Sequence, residues 1–102
     1  MYVAGAPTVT SVTVTPATAT VVKGQNLKMA ATVVTTNFAP KSVNWTVTGG
    51  NDAATTIDIY GNLHVSENET AASLTVTATS TFDDSKSNTA TITVSSFSFH
   101  KP

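Results

Sequence analysis

Asp58, Tyr60 and His64 are the best chemistry this chain offers. On a tight hairpin whose arms turn Ile57, Ile59, Leu63 and Val65 inward, these three side chains project outward together. An acid, a phenol and an imidazole on one small face could hydrogen-bond and stack against a sugar, or dock a neighbouring subunit. The plainer reading of the same pattern is a set of ordinary exposed strand residues.

Other chemistry lacks its parts. A hydrolytic triad needs serine, histidine and an acid brought together, and the only histidines are His64 and His100. His100 falls in the tail Phe97 to Pro102. The pair Asp83-Asp84 lacks the spaced oxygen ligands and turn glycine of a calcium loop, so it reads as a solvated turn, and Glu67 and Glu69 read the same way. Gly49-Gly50 precedes neither a Lys-Ser pair nor a helix, so it is no phosphate cradle. Without cysteine there is no disulfide, thiolate nucleophile or zinc–thiolate site. The expectation is no catalytic residue, no metal and no cofactor.

Charge narrows the partners. The formal net charge is −1, the five basic residues are all lysine, and there is no arginine. Phosphate backbones are gripped by clustered cations, preferably with a guanidinium fork, so nucleic acid is not an expected partner. No apolar run approaches the roughly 20 residues that span a bilayer, so membrane insertion is not expected. Met1 to Gly5 lacks the basic start and apolar stretch of a secretion signal, and export would have to be directed from outside this segment.

The elements that must position these residues are strands. A length of 102 residues fits one domain. Threonine occurs 21 times and valine 13 times, and both branch at Cβ, which suits a pleated surface better than a helix. Strand candidates are Thr8 to Thr15, resuming after Pro16 at Thr18 to Val22 as a kinked edge strand, and Asn26 to Val34, a continuous apolar face expected at the centre of a sheet. Val43, Trp45 and Val47 make the next. Thr56 to Tyr60 and Leu63 to Val65 form the hairpin, Ser66 to Ala72 is a loop or single turn, and Leu74 to Ala78 and Ala90 to Val94 complete the set. About seven short strands with turns between them predict an all-β, antiparallel β-sandwich without a disulfide. Residues 1–7 read as a linker, 8–96 as the domain and 97–102 as a tail. Trp45, the only tryptophan, is expected in the core, where its truncation would cost roughly 3 to 5 kcal/mol; a sugar-stacking platform is the functional alternative.

Particular runs of residues carry a family resemblance. Val12-Thr13-Val14-Thr15-Pro16, Val22-Lys23-Gly24-Gln25-Asn26-Leu27, Ala31-Thr32-Val33, Val43-Asn44-Trp45, the Ile57-Asp58 to Gly61 turn and Thr89-Ala90-Thr91-Ile92-Thr93-Val94 together resemble the bacterial immunoglobulin-like domain, group 2, over roughly residues 9–95. The resemblance implies an Ig-like sandwich without catalytic machinery, of the kind found in bacterial surface adhesins and in head and tail proteins of tailed bacteriophages. Gly61 to Val65, Leu74 to Ser80 and Asp84 to Ser87 look most like the copies appended to phage virion proteins. Where members of the family often carry a glycine before the sixth strand, this chain has Glu69-Thr70-Ala71-Ala72. The expected partners are therefore a parent virion or surface polypeptide and a bacterial cell-surface glycan, with display on a virion surface or, alternatively, on a bacterial surface. The isolated domain is expected to be a monomer.

Overall fold

A computed structural model describes residues 5–95, and the expected tail 97–102 lies outside the described residues. Within them the chain forms strands β1 (Thr8–Thr15), β2 (Thr18–Val22), β3 (Asn26–Lys28), β4 (Ala30–Thr36), β5 (Val43–Thr48), β6 (Thr56–Ile57), β7 (Asn62–His64), β8 (Ser73–Ser80) and β9 (Ser87–Ser95), and no helix. The order β2-β9-β8-β5 makes one layer of a sandwich, and β1-β4 with β3-β7-β6 make the other. The all-β sandwich expected from the sequence is what forms.

Alternation of threonine with apolar residues builds the core directly. Leu74, Val76 and Ala78 of β8 and Ala90 and Ile92 of β9 are buried, while Thr75, Thr89, Thr91 and Thr93 between them face water. These apolar side chains meet Val12, Val14, Val33, Met29 and Leu63 of the opposite layer. One departure from strict parity is local. Val9 is buried although Val12 and Val14 are even-numbered, because the β1–β4 register shifts between Val9 and Ser11. One extra residue in β1 turns the side-chain sequence over, as a bulge does.

The nine segments run in seven passes, because two passes are each broken once. The first breaks at the cis Thr15-Pro16 bond: β1 pairs with β4, and β2 pairs with β9. A proline has no amide to donate, so the ladder stops there and the chain changes layers. The β2–β9 pairing is parallel, and the other pairings of the described strands are antiparallel. The second break corrects an expectation. Asn26 to Val34 is not one central strand: β3 pairs with β7, β4 pairs with β1, and between them the Met29 amide donates to the Gly61 carbonyl at 2.8 Å. Alternating burial continues through the break, so hydrophobic periodicity gave no sign of it.

The pairings also fix the two ends of the sandwich. Thr8 lies beside Thr36, and Thr79 beside Ser87, so the chain enters at the end that carries the β4–β5 and β8–β9 loops. Val22 lies beside Ser95 at the other end, with the β2–β3, β5–β6 and β7–β8 loops.

Candidate functional site

The β6–β7 turn is built by Asp58. Its Oδ1 accepts the amides of Tyr60 at 2.8 Å and Asn62 at 2.9 Å, and its Oδ2 accepts the Asn62 side-chain amide at 2.9 Å. The Asn62 side chain, then its backbone amide, then that of Tyr60 and the charge of Lys28 hold the Asp58 carboxyl below its ordinary range. Gly61 closes the turn at φ +86°, where a Cβ would stand 2.6 Å from the Met29 carbonyl oxygen and 3.1 Å from the Trp45 indole. Only glycine permits that approach.

This turn pushes Ile59 outward. Ile59 is 78% exposed, against the expectation that it faces the core, while Ile57 is half-buried and Leu63 and Val65 are buried. Strand geometry ends at Ile57, so the period of two that assigned Ile59 inward no longer applies beyond it.

Asp58, Tyr60 and His64 divide between two neighbourhoods. Asp58 and Tyr60 share the turn, with the Asp58 carboxylate occupied by amides. His64 sits across from Asn26 in the β3–β7 ladder, its Nδ1 2.6 Å from Asn26 Oδ1, and lines a shallow depression with Ser66, Glu67 and Asn68. Tyr60 lines a different groove.

That second groove lies on the flank where β5 ends one layer and β4 ends the other. Its volume is about 340 Å³, and Lys28, Lys41, Ser42, Trp45, Ile59 and Tyr60 contribute to its walls. Trp45 points inward as expected, but among the described residues β5 is a margin strand with no neighbour beyond it. The indole is therefore half-buried, packed on Gly61 and the core on one side and open to the groove on the other. Lys28 donates through Nζ to the Tyr60 carbonyl, tying the turn to β3. No aspartate or glutamate lines the groove. Sequence parity placed Trp45 but not the two lysines, since Lys28 sits at a strand break and Lys41 in a loop.

Glu69 is the larger surprise. Expected in a solvated turn, it has no exposed surface. Its carboxylate accepts the Thr55 hydroxyl at 2.6 Å and the amides of Asn51 at 2.7 Å, Ala71 at 3.0 Å, Thr70 at 3.1 Å and Asp52 at 3.3 Å. The Thr55 hydroxyl first, then the Asn51 and Ala71 amides, outweigh the cost of burial and lower the Glu69 pKa to about 2. A buried carboxylate surrounded by donors replaces the hydrogen bonds it would make to water. It ties the β5–β6 loop to the β7–β8 loop. Gly50 makes room for it, as a Cβ there would lie 3.0 Å from Glu69 Oε1. The family resemblance marked this position as a departure, and the buried charge is what the departure holds.

Among the described residues no three histidine, aspartate or glutamate side chains gather as a metal site, and every buried side-chain nitrogen or oxygen has a hydrogen-bond partner. No helix in them is long and apolar enough to cross a membrane.

A search of the curated proteins found no match. The family profile described as bacterial Ig-like domain (group 2) matches residues 8–94, from the first residue of β1 to the penultimate residue of β9. That family is non-catalytic. With the match running through every strand of the sandwich, the chain belongs to the bacterial Ig-like domain (group 2) family.

Proposed function

We propose that this domain is a non-catalytic accessory module of a phage virion structural protein, in the tail or the head, displayed on the particle surface and giving weak adhesion to the host cell surface. The observation that carries the reading is the separation of entry and exit. Thr8 and Ser95 lie at opposite ends of the sandwich, so its flanks stay open when a larger protein holds it at one end. A shallow groove on such a flank gives a modest single contact, and many copies on one particle multiply modest contacts into retention.

The same geometry supports a second reading, a repeat of a bacterial cell-surface adhesin acting as a spacer or carbohydrate-binding unit, because copies joined end to end would extend in a line. Two measurements separate them. Antibody raised against the domain and imaged by electron microscopy decorates intact phage particles in the first reading; tandem copies in an exported bacterial polypeptide transfer the assignment to the second. Beads carrying many copies are retained on bacterial cells while the free domain washes off. Beads that wash off as readily as the free domain remove adhesion from both readings.

A further inference from the structure

We propose that the flank groove between β4 and β5 is a binding site for an acidic saccharide, with Trp45 and Tyr60 as the apolar walls and Lys41 and Lys28 as the cationic ones. The proposal rests on the adhesion reading for its biological setting, but its chemistry comes from the groove.

Three observations converge on this site. The first is composition of the walls. Two of the five lysines of a chain with net charge −1 line one groove, and no carboxylate lines it. The nearby acid that acts on Lys28, Asp58, has its oxygens occupied by the amides of Tyr60 and Asn62. Asp58 keeps its charge and partly offsets Lys28, whereas Lys41 faces no carboxylate in the groove, so an entering anion meets positive charge carried mainly by Lys41, the complementarity that selects ligands by sign.

The second is the aromatic surface. Trp45 is half-buried and Tyr60 is 68% exposed, and both border the groove. A pyranose ring presents a face of C–H groups that packs on an aromatic ring, while its hydroxyls and carboxylate stay available to Ser42 and the lysines.

The third is rigidity. Gly61 supports the Trp45 indole from beneath, and the Lys28 ammonium pins the Tyr60 carbonyl. The indole and the turn backbone are thus in place before a ligand arrives, which lowers the ordering cost for that part of a shallow surface. A chain of uronic-acid residues fits these walls better than a neutral glucan, which leaves the lysines unused, or an acidic peptide, which leaves the aromatic faces unused.

Trp45, as the only tryptophan, reports occupancy by its own emission. The 102-residue domain would be titrated with oligogalacturonate, with neutral dextran oligomers and with a poly-glutamate peptide, following Trp45 fluorescence and, independently, heat by calorimetry. Oligogalacturonate produces a saturable change with a dissociation constant on the order of 1 mM, as one open groove allows. Lys41→Glu and Tyr60→Ala each weaken it roughly tenfold or more while the thermal midpoint stays at the wild-type value. Equal response to dextran, a preference for poly-glutamate, no heat and no emission change at saturating saccharide, or unaltered binding by Lys41→Glu each overturns the proposal. Cell retention separates this outcome from the adhesion reading. Multivalent beads of Lys41→Glu that still hold cells leave adhesion standing and remove the groove, whereas oligogalacturonate binding without any cell retention does the reverse.

Discussion

The Thr55 hydroxyl donates to the Glu69 carboxylate at 2.6 Å and accepts the Ser66 amide at 3.1 Å, so one side chain joins a buried charge to the start of its own loop. Glu69→Ala leaves the part-buried amides of Asn51 and Ala71 without their acceptor. The expected loss is about 1–3 kcal/mol, since bonds to a charged acceptor are stronger than neutral ones while water regains part of the bonding at the part-buried amides. Urea melts measure it, and a change under about 0.5 kcal/mol would show that water replaces the carboxylate without penalty.

Acid should unfold the domain partly through the same group. The Glu69 pKa is lowered from 4.5 to about 2 by folding. Above 4.5 the carboxylate is ionised in both states and its stabilisation is fully present; as pH falls from 4.5 toward 2 the unfolded chain takes up a proton that the folded chain refuses, and stability drains away. Asp58 and Asp83, both lowered, act in the same direction. Thermal midpoints taken through this acid range fall for the wild type. For Glu69→Gln they start lower and fall less steeply; a parallel decline in both proteins would assign the acid sensitivity elsewhere.

Trp45→Ala should cost about 1.5–3 kcal/mol, less than the loss expected of a fully enclosed indole, because one side of the ring already faces the groove. Acrylamide quenching of Trp45 emission supplies the companion measurement. Quenching as weak as that of a sealed core tryptophan would place the ring deeper than the structure does.

Gly61→Ala combines a left-handed backbone with a Cβ 2.6 Å from the Met29 carbonyl oxygen. The backbone contact cannot swing away as a side chain would. A loss of about 2–4 kcal/mol is expected, read by the same melts, with the Trp45 emission shifted because the indole sits 3.1 Å from the added methyl.

Asn88 holds the open edge of β1, its Oδ1 accepting the Val14 amide at 2.8 Å. Asn88→Ala removes that acceptor and should cost about 1–2 kcal/mol. Hydrogen exchange at Val14 should accelerate in the variant by more than at Val76, whose strand β8 is paired on both sides; equal acceleration would mean the effect is global.

Much of this architecture was legible because it rests on a local rule. Alternation placed Leu74, Val76, Ala78, Ala90 and Ile92 on one buried face, and Pro16 announced the break between β1 and β2. The misread features depend on contacts made at long range. Nothing in Asn26 to Val34 shows that Met29 will surrender its amide to Gly61, because the side-chain pattern continues unbroken across the point where the backbone partners change. Glu69 looked solvated because a single acid in a polar run carries no sign of the donors from Asn51, Asp52 and Thr55 that arrive from another loop. The outward direction of the turn residues Asp58 and Tyr60 could be seen in advance. Their separation from His64, and the meeting of Tyr60 with Lys41 and Trp45, required the fold.

The first pass and the last lie side by side and run the same way, with Thr18 beside Thr91 and Val22 beside Ser95. Pulling on the two termini therefore loads the backbone bonds between β2 and β9 along the strand axis and all together, in shear, instead of peeling them open one after another like a zip. A tether that includes this domain would meet its stiffest resistance at this pair of strands, and the domain would hold its shape under a tug that unravels a hairpin.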